Sequence, residues 1–177
     1  DSKEKAPNMV DFKQKVLFDF PVLSEAEATR GVIGLPRVLN MYENYPFWAT
    51  FFKELGFRTV ISPFSDRSIY ELGMESIPSE SECYPAKLAH GHVQWLIDRG
   101  IKDIFHPCVF YEYRETDAAQ NKYNCPIVVS YAENIKNNSE DITLKDINYH
   151  RPFISFFNED VATKRLVRFV KDVWGIS

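Results

Sequence analysis

The strongest constraint on the fold is a regular alternation between short apolar runs and stretches with helical periodicity. The runs interpreted as strands are residues 32–36, 58–62, 103–107 and 127–131. The predicted helices are 40–55, a short one capped by Asp66, 86–99, and one beginning at Asn158 or Thr163. Such alternation with short connections is typical of βαβ units. The sequence therefore predicts an α/β domain, three-layered and Rossmann-like or flavodoxin-like, with a mainly parallel sheet.

The regular pattern starts at Gly31, so residues 1–30 are interpreted as an N-terminal extension or linker. Its first eight residues are mainly polar, whereas residues 16–23 are mainly apolar and are interrupted by Pro21. We expect this apolar segment to dock on the body of the domain, residues 31–177. The chain begins at Asp1 rather than Met, which indicates a fragment of a longer protein.

Charge and hydropathy exclude several classes of function. The net charge is −4 and the pI is about 5.6, which argues against a general nucleic-acid surface. No apolar run approaches the roughly 20 residues that span a bilayer, and no signal segment is present at the start of the chain. A cytoplasmic protein without nucleic-acid or membrane partners is expected.

Three cysteines, Cys83, Cys108 and Cys125, each lie within two residues of a proline. An odd number of distant cysteines is a poor disulfide framework. Each falls where the predicted structure changes element, so the three side chains could converge at one edge of the sheet. Cys125 is the hardest to place, because it precedes the fourth predicted strand rather than following one.

Three thiolates on fixed loops can hold an iron–sulfur cluster and leave one iron open. Their separations, about 25 and 17 residues, match no zinc-finger spacing. The alternative is that all three cysteines are buried apolar residues, a common environment for free cysteine.

Several polar residues could support such a site. His106 lies two residues from Cys108 and is either a hydrogen-bond partner of a ligand or the fourth ligand of a Cys₃His zinc site. Glu80 and Lys87 flank Cys83 and are candidate neighbours of a bound cluster. A lysine near a helix start is unfavourable unless an anion, such as a cluster, is close by, but a solvated Lys87 and a Glu80 that serves as N-terminal helix charge are the alternatives. His90 and His92 are two residues apart on a predicted helix and point to different faces, so they cannot chelate together.

The chain contains no phosphate-binding loop, no complete dinucleotide fingerprint and no Ser-His-Asp signature. The aromatic segment 42–48 could line the mouth of a pocket, but packing of the first helix on the sheet and on the N-terminal extension is the favoured interpretation.

Two segments carry a family resemblance. Residues 33–48 and, more specifically, residues 77–92, with the sequence Ile-Pro-Ser-Glu-Ser-Glu-Cys-Tyr-Pro-Ala-Lys-Leu-Ala-His-Gly-His, resemble a domain of large acyl-CoA dehydratase activase-related proteins. The resemblance extends over roughly residues 31–175. In that family the domain follows ATPase modules similar to the activator of 2-hydroxyglutaryl-CoA dehydratase, and it is itself similar to the dehydratase subunits.

In those subunits three cysteines hold a [4Fe–4S] cluster, so the resemblance implies Cys83, Cys108 and Cys125 as its ligands. It also implies upstream ATPase activator modules, in the same or another chain, as partners that drive low-potential electron transfer. An acyl-CoA is the implied candidate substrate. A cluster of this type is expected to be lost from protein purified in air.

Two hypotheses follow from the sequence. The first is a [4Fe–4S] domain that serves low-potential electron transfer or reductive dehydration. The alternative is a non-catalytic docking or assembly module in which the cysteines are structural, and a Cys₃His zinc site is a third option.

Overall fold

The computed structural model describes residues 6–78, 83–114, 116, 118 and 120–176. The helices are α1 (Met9–Phe18), α2 (Met41–Glu54), α3 (Arg67–Gly73), α4 (Tyr84–Asp98), α5 (Pro126–Asn138), α6 (Glu140–Leu144) and α7 (Glu159–Trp174). A single 3₁₀ turn, Met74–Ser76, follows α3. The strands are β1 (Val32–Leu35), β2 (Arg58–Ile61), β3 (Asp103–Phe105), β4 (Cys108–Tyr111), β5 (Asn148–His150) and β6 (Phe153–Ser155).

Four parallel strands form the central sheet, in the order β2–β1–β3–β5. The chain moves from β1 to one side to form β2 and later to the other side to form β3. The carboxyl ends of β1 and β3 therefore flank the point at which the strand order reverses, as in flavodoxin-like folds. This topology confirms the predicted α/β class.

Helices cover both faces of the sheet and produce three layers. On one face, side chains of α2, the strands and α7 form an apolar cluster that includes Trp48, Phe52 and Phe105. On the other face, α4 and α5 contribute Leu96 and Ile135 to a second cluster. The aromatic segment 42–48 thus serves mainly to pack α2, because Tyr45 and Trp48 are buried in the first cluster.

The second, two-stranded sheet continues the ladder between β3 and β5. Phe105 pairs with His150 and Cys108 pairs with Phe153, so the register is the same on both sides of the break. Pro107 and Pro152 separate the two parts and cannot donate a backbone hydrogen bond. The intervening bonds run from His106 N to His150 O and from Cys108 N to Pro152 O. β4 and β6 therefore extend beyond the carboxyl edge of the central sheet.

Predicted caps define several helix ends. The side chain of Asp66 accepts a hydrogen bond from Ile69 N at the start of α3, and Asn158 accepts one from Val161 N at the start of α7. Gly56 and Gly100 follow α2 and α4 with φ of +83° and +74°, a region that favours glycine.

The fourth predicted strand is wrong. Residues 127–131 lie in helix α5, and the supposedly irregular segment 132–150 contains the rest of α5, α6 and β5. A run of five residues of which four are apolar fits a buried strand and a buried helix turn equally well. Pro126 at the first helical position and the buried residues Tyr131, Ala132 and Ile135 identify the helix instead.

The N-terminal segment packs on α2 as predicted. The ring of Phe18 lies 5.3 Å from that of Tyr42 and 5.1 Å from that of Tyr45, and Phe20 lies 6.4 Å from Tyr45. α1 itself has no fully buried residue, and Met9 and Phe12 are exposed. Attachment of this segment to the domain therefore depends on aromatic contacts at the end of α1.

Candidate functional site

Cys83 is the N-cap residue of α4, and its thiol is exposed. Its carbonyl oxygen accepts hydrogen bonds from Ala86 N and Lys87 N, but its side chain makes no capping bond. Pro85 occupies the first turn, where a missing N–H costs nothing. Glu80, the predicted neighbour of this cysteine, lies outside the described residues, and Lys87 is half-buried on α4.

Cys125 occupies the equivalent position on α5. It is the N-cap residue, its thiol is exposed, and Pro126 follows as the first helical residue. Again the side chain makes no capping bond. From the sequence, Cys125 was hard to place because it precedes a predicted strand. Since it precedes a helix instead, and a helix that follows a strand begins near the carboxyl edge of the sheet, that difficulty no longer applies.

Cys108 is the first residue of β4 and is fully buried. It belongs to the same apolar cluster as Tyr131, Ala132 and Ile135 of α5. Burial, with the negative charge of Glu133 as a smaller contribution, raises the pKa of the Cys108 thiol to about 11. The metal-free protein therefore holds this thiol protonated at neutral pH.

Helix α5 is the element that relates the three cysteines. Cys125 begins it, and Tyr131, less than two turns later, has its hydroxyl 4.0 Å from the Cys83 sulfur. Tyr131 also packs in the apolar cluster that contains Cys108. Across the described ranges, no three His, Cys, Asp or Glu side chains are placed so that they could hold a metal ion.

The three thiols have two kinds of surroundings. Cys83 and Cys125 lie at helix N-termini, where N–H groups and the helix dipole favour negative charge. Cys108 lies in an apolar environment that excludes water.

His106 is buried and has a hydrogen-bond partner of its own. It is 1% exposed, and its Nδ1 lies 2.8 Å from the hydroxyl oxygen of Tyr149. Burial is the main cause that lowers its pKa to about 3. Neutral imidazole is the form that ligates zinc, so the lowered pKa does not decide the Cys₃His option; among the described residues, however, His106 does not join other side chains in a group that could hold a metal ion.

His90 and His92 point in different directions, yet both are buried. Nδ1 of His90 lies 2.8 Å from Ser76 Oγ, and the two ring nitrogens of His92 lie 2.8 Å and 2.9 Å from the hydroxyls of Ser62 and Ser65. Burial lowers the pKa of each to about 4. Both histidines are therefore neutral core residues.

Two polar residues in the loop after β1 were not identified from the sequence as buried. Arg37 and Asn40 are each only 8% exposed, at the carboxyl edge of the sheet. The available signal was the position of Arg37, directly after a predicted buried strand and Pro36.

In the part of the chain that the structure describes, no helix is long and apolar enough to cross a membrane. No curated protein and no solved structure matches the chain. Residues 32–177, from the first residue of β1 onward, match the family described as "CoA enzyme activase uncharacterised domain". The chain thus belongs to this family of CoA enzyme activase domains, in agreement with its resemblance to acyl-CoA dehydratase activase-related proteins.

Proposed function

We propose that this domain binds a [4Fe–4S] cluster through Cys83, Cys108 and Cys125. The observation that carries the proposal is the common relation of the three cysteines to α5. One begins the helix, one contacts the Tyr131 hydroxyl, and one packs in the same cluster as Tyr131. When bound, such a cluster would supply one-electron transfer and an iron that can accept an oxygen ligand.

The residues of the chain would have distinct roles. The N–H groups at the starts of α4 and α5 would stabilise the negative charge of the Cys83 and Cys125 thiolates. Cys108 must lose its proton to become a ligand, and its raised pKa means that metal binding has to drive that loss. The surrounding apolar side chains would exclude water from this ligand.

The partners are part of the same proposal. The family description refers to activation of CoA enzymes, and the sequence contains no phosphate-binding loop. The energy for low-potential electron transfer would therefore come from separate ATPase activator modules. An acyl-CoA is the candidate substrate for reductive dehydration.

The test is anaerobic reconstitution with iron and sulfide, followed by measurement of bound iron and acid-labile sulfide. We expect about four of each per chain in the wild type, and clear losses in Cys83→Ser and Cys125→Ser. Both thiols are exposed, so these variants should fold. Ser130→Ala, an exposed change on α5, is the matched control and should retain the cluster. Folded wild-type protein without iron would refute the proposal.

A second candidate function rests on the buried, protonated Cys108. If this thiol is only a core residue, the domain is a docking or assembly module for other activase segments. In that case the Cys83→Ser/Cys125→Ser double variant should bind activator modules as tightly as the wild type. A difference in binding between the cluster-loaded and cluster-free wild type would argue against this alternative. Elemental analysis for zinc distinguishes the third option, a Cys₃His zinc site, from both of these functions.

A further inference from the structure

Arg37 lies at the point where the strand order of the sheet reverses. It follows β1 by two residues, and β1 pairs with β2 on one side and with β3 on the other. In open α/β sheets, ligands bind outside the carboxyl ends of the strands at this point. None of the three cysteines belongs to this loop, although Val38 and Leu39 pack in the same apolar cluster as Cys108, so the loop adjoins the proposed cluster ligands without supplying one.

The contacts of Arg37 fix its side chain but leave hydrogen-bonding capacity unused. Its backbone N donates to Ser62 Oγ over 2.7 Å, and its Nε donates to Ser62 O over 2.9 Å. The guanidinium carbon lies 4.3 Å from the ring centre of Phe18 and 4.0 Å from that of Phe64. Aromatic rings over the faces of a guanidinium do not use the N–H donors in its plane.

One more donor nitrogen on this side chain has no partner. Nη1 of Arg37 is buried without a hydrogen bond, and within the described ranges no carboxylate oxygen lies within 4.0 Å of the guanidinium. A buried, uncompensated cation and an unpaired donor are both costly. A bound anion would remove both costs.

Asn40 provides a second unused donor in the same loop. It is 8% exposed, its Nδ2 is buried without a partner among the described residues, and its side chain does not cap α2. Between the two residues, Leu39 has φ of +51°, which a leucine adopts only under constraint. The loop therefore holds two buried donors in a backbone conformation that its own sequence does not favour.

We propose that the loop formed by residues 36–40 is a binding site for an oxyanion, either a carboxylate or a phosphate group, with Arg37 Nη1 and Asn40 Nδ2 as donors. A donor-only set with one positive charge selects an anionic acceptor over a neutral carbonyl. Ser62 would keep Arg37 in place. Its carbonyl oxygen accepts from the guanidinium Nε, and its hydroxyl, which accepts from Arg37 N, lies 2.8 Å from His92 Nδ1.

Calorimetric titration at constant ionic strength tests the site with two probes, inorganic phosphate and acetate. We expect saturable binding of at least one probe by the wild-type chain. Arg37→Gln should weaken it by about tenfold or more, and Asn40→Ala by a smaller factor. Arg37→Lys keeps the charge but not the planar donors, so partial recovery is expected.

Arg67→Gln is the matched control. Arg67 lies on the neighbouring helix α3, is exposed and pairs with Glu71 at 2.8 Å. Its loss changes the net charge by the same amount and should leave binding within about twofold, because it does not face the loop donors. Tighter binding of phosphate than of acetate, or the reverse, shows whether the site is suited to a phosphate group or to a carboxylate.

A measurement on the wild type alone keeps the proposal testable if Arg37→Gln does not fold. Phosphate or acetate should slow hydrogen exchange of the backbone amides in residues 37–42, compared with sodium chloride at equal ionic strength. Absence of binding by both probes, equal binding by folded Arg37→Gln, or unchanged exchange in residues 37–42 would each overturn the proposal.

Discussion

Cys108 and the two helix-capping cysteines differ in how far water reaches the thiol. Cys83 and Cys125 are exposed at helix starts, whereas Cys108 is enclosed by the apolar cluster between the sheet and α5. The thiolate is the reactive form of cysteine. Reactivity should therefore distinguish these residues in the metal-free protein.

We predict that iodoacetamide at pH 8 modifies Cys83 and Cys125 but leaves Cys108 almost unmodified in the native state. The raised pKa of Cys108 keeps its thiol protonated at this pH, and burial blocks the reagent. Peptide mass spectrometry measures the modification at each position, with urea-denatured protein as the control. Equal rates for all three cysteines in the native protein would contradict the structure.

The buried histidines predict a pH-dependent stability. The folded-state pKa values of His92 and His106 are lowered to about 4 and 3, whereas the unfolded values are near 6.5. Between the folded and unfolded pKa values, the unfolded chain binds more protons than the folded chain. The free energy of unfolding is therefore highest above about pH 6.5 and falls as the pH decreases. We expect a loss on the order of 1–2 kcal/mol for each histidine between pH 7 and 5.

Urea unfolding at pH 7 and 5 measures this loss. Replacement of His92 by Gln removes one titrating group and should reduce the difference between the two pH values, even though it lowers stability at pH 7. A His92→Gln variant with an unchanged pH dependence would exclude His92 as a contributor.

The helical spacing of His90 and His92 showed that they face different directions. It did not show that both are buried, because their burial depends on α3, which packs against α4.

At the level of elements, α5 shows where prediction from the sequence succeeds and where it fails. The first three strands were recognisable, since β1 and β3 lie in the covered centre of the sheet and β2, at its edge, still carries the apolar pair Val60 and Ile61. Residues 127–131 were not, because a run of five residues, four of them apolar, carries no period that separates a strand from a helix. β4 was not predicted, because Pro107 directly precedes it and ends the third predicted strand. β5 was not predicted either, because it is only three residues long and starts at exposed Asn148.

The N-caps of α4 and α5 suggest a prediction at this scale. Cysteine is not among the preferred N-cap residues, and neither Cys83 nor Cys125 makes a capping bond. Replacement of Cys125 by Asp should therefore stabilise the metal-free protein by about 0.5–1 kcal/mol, because a carboxylate accepts bonds from the first-turn N–H groups.

Chemical denaturation in the presence of a chelator measures this gain. Ser130→Asp places the same charge at an exposed position within α5, away from its start, and should not stabilise the protein. A lower stability for Cys125→Asp would show that the thiol makes a contribution that the capping geometry does not account for. A gain in stability would mean that the native cysteine is kept at this position for a reason other than folding.

For the whole molecule, the main question is how much the N-terminal segment contributes to folding. α1 has no fully buried residue. It and the segment that follows it meet the domain through Phe18 and Phe20, which are half-buried, and through an exposed ion pair between Lys13 and Glu43. The two apolar clusters on the faces of the sheet are largely formed by residues after Gly31. Residues 31–177 should therefore be able to form both apolar clusters, and so to fold, without the N-terminal segment.

We predict that a chain of residues 31–177 folds cooperatively but is less stable than the full chain by about 1–3 kcal/mol, the value expected for loss of two partly buried aromatic side chains. Thermal and urea unfolding, followed by circular dichroism, provide the measurement. Phe12→Ala in the full chain is the control and should have little effect, since Phe12 is 59% exposed. Absence of a cooperative transition in the shortened chain would contradict this division.

The break in the ladder at Pro152 has a consequence for self-association. In the described part of the chain, β5 and β6 each pair on one side only, so they form a free border of the two sheets. A continuous border of this kind is a template on which strands of other molecules can add and start aggregation. Pro152 faces the ladder, because its carbonyl oxygen accepts a hydrogen bond from Cys108 N, so it leaves the outward donors of the border in place. The break that it makes nevertheless limits each regular section of the border, β5 and β6, to three residues, and very short edge strands are poor templates. The same residue that separates the two sheets should therefore help to keep the protein monodisperse at high concentration.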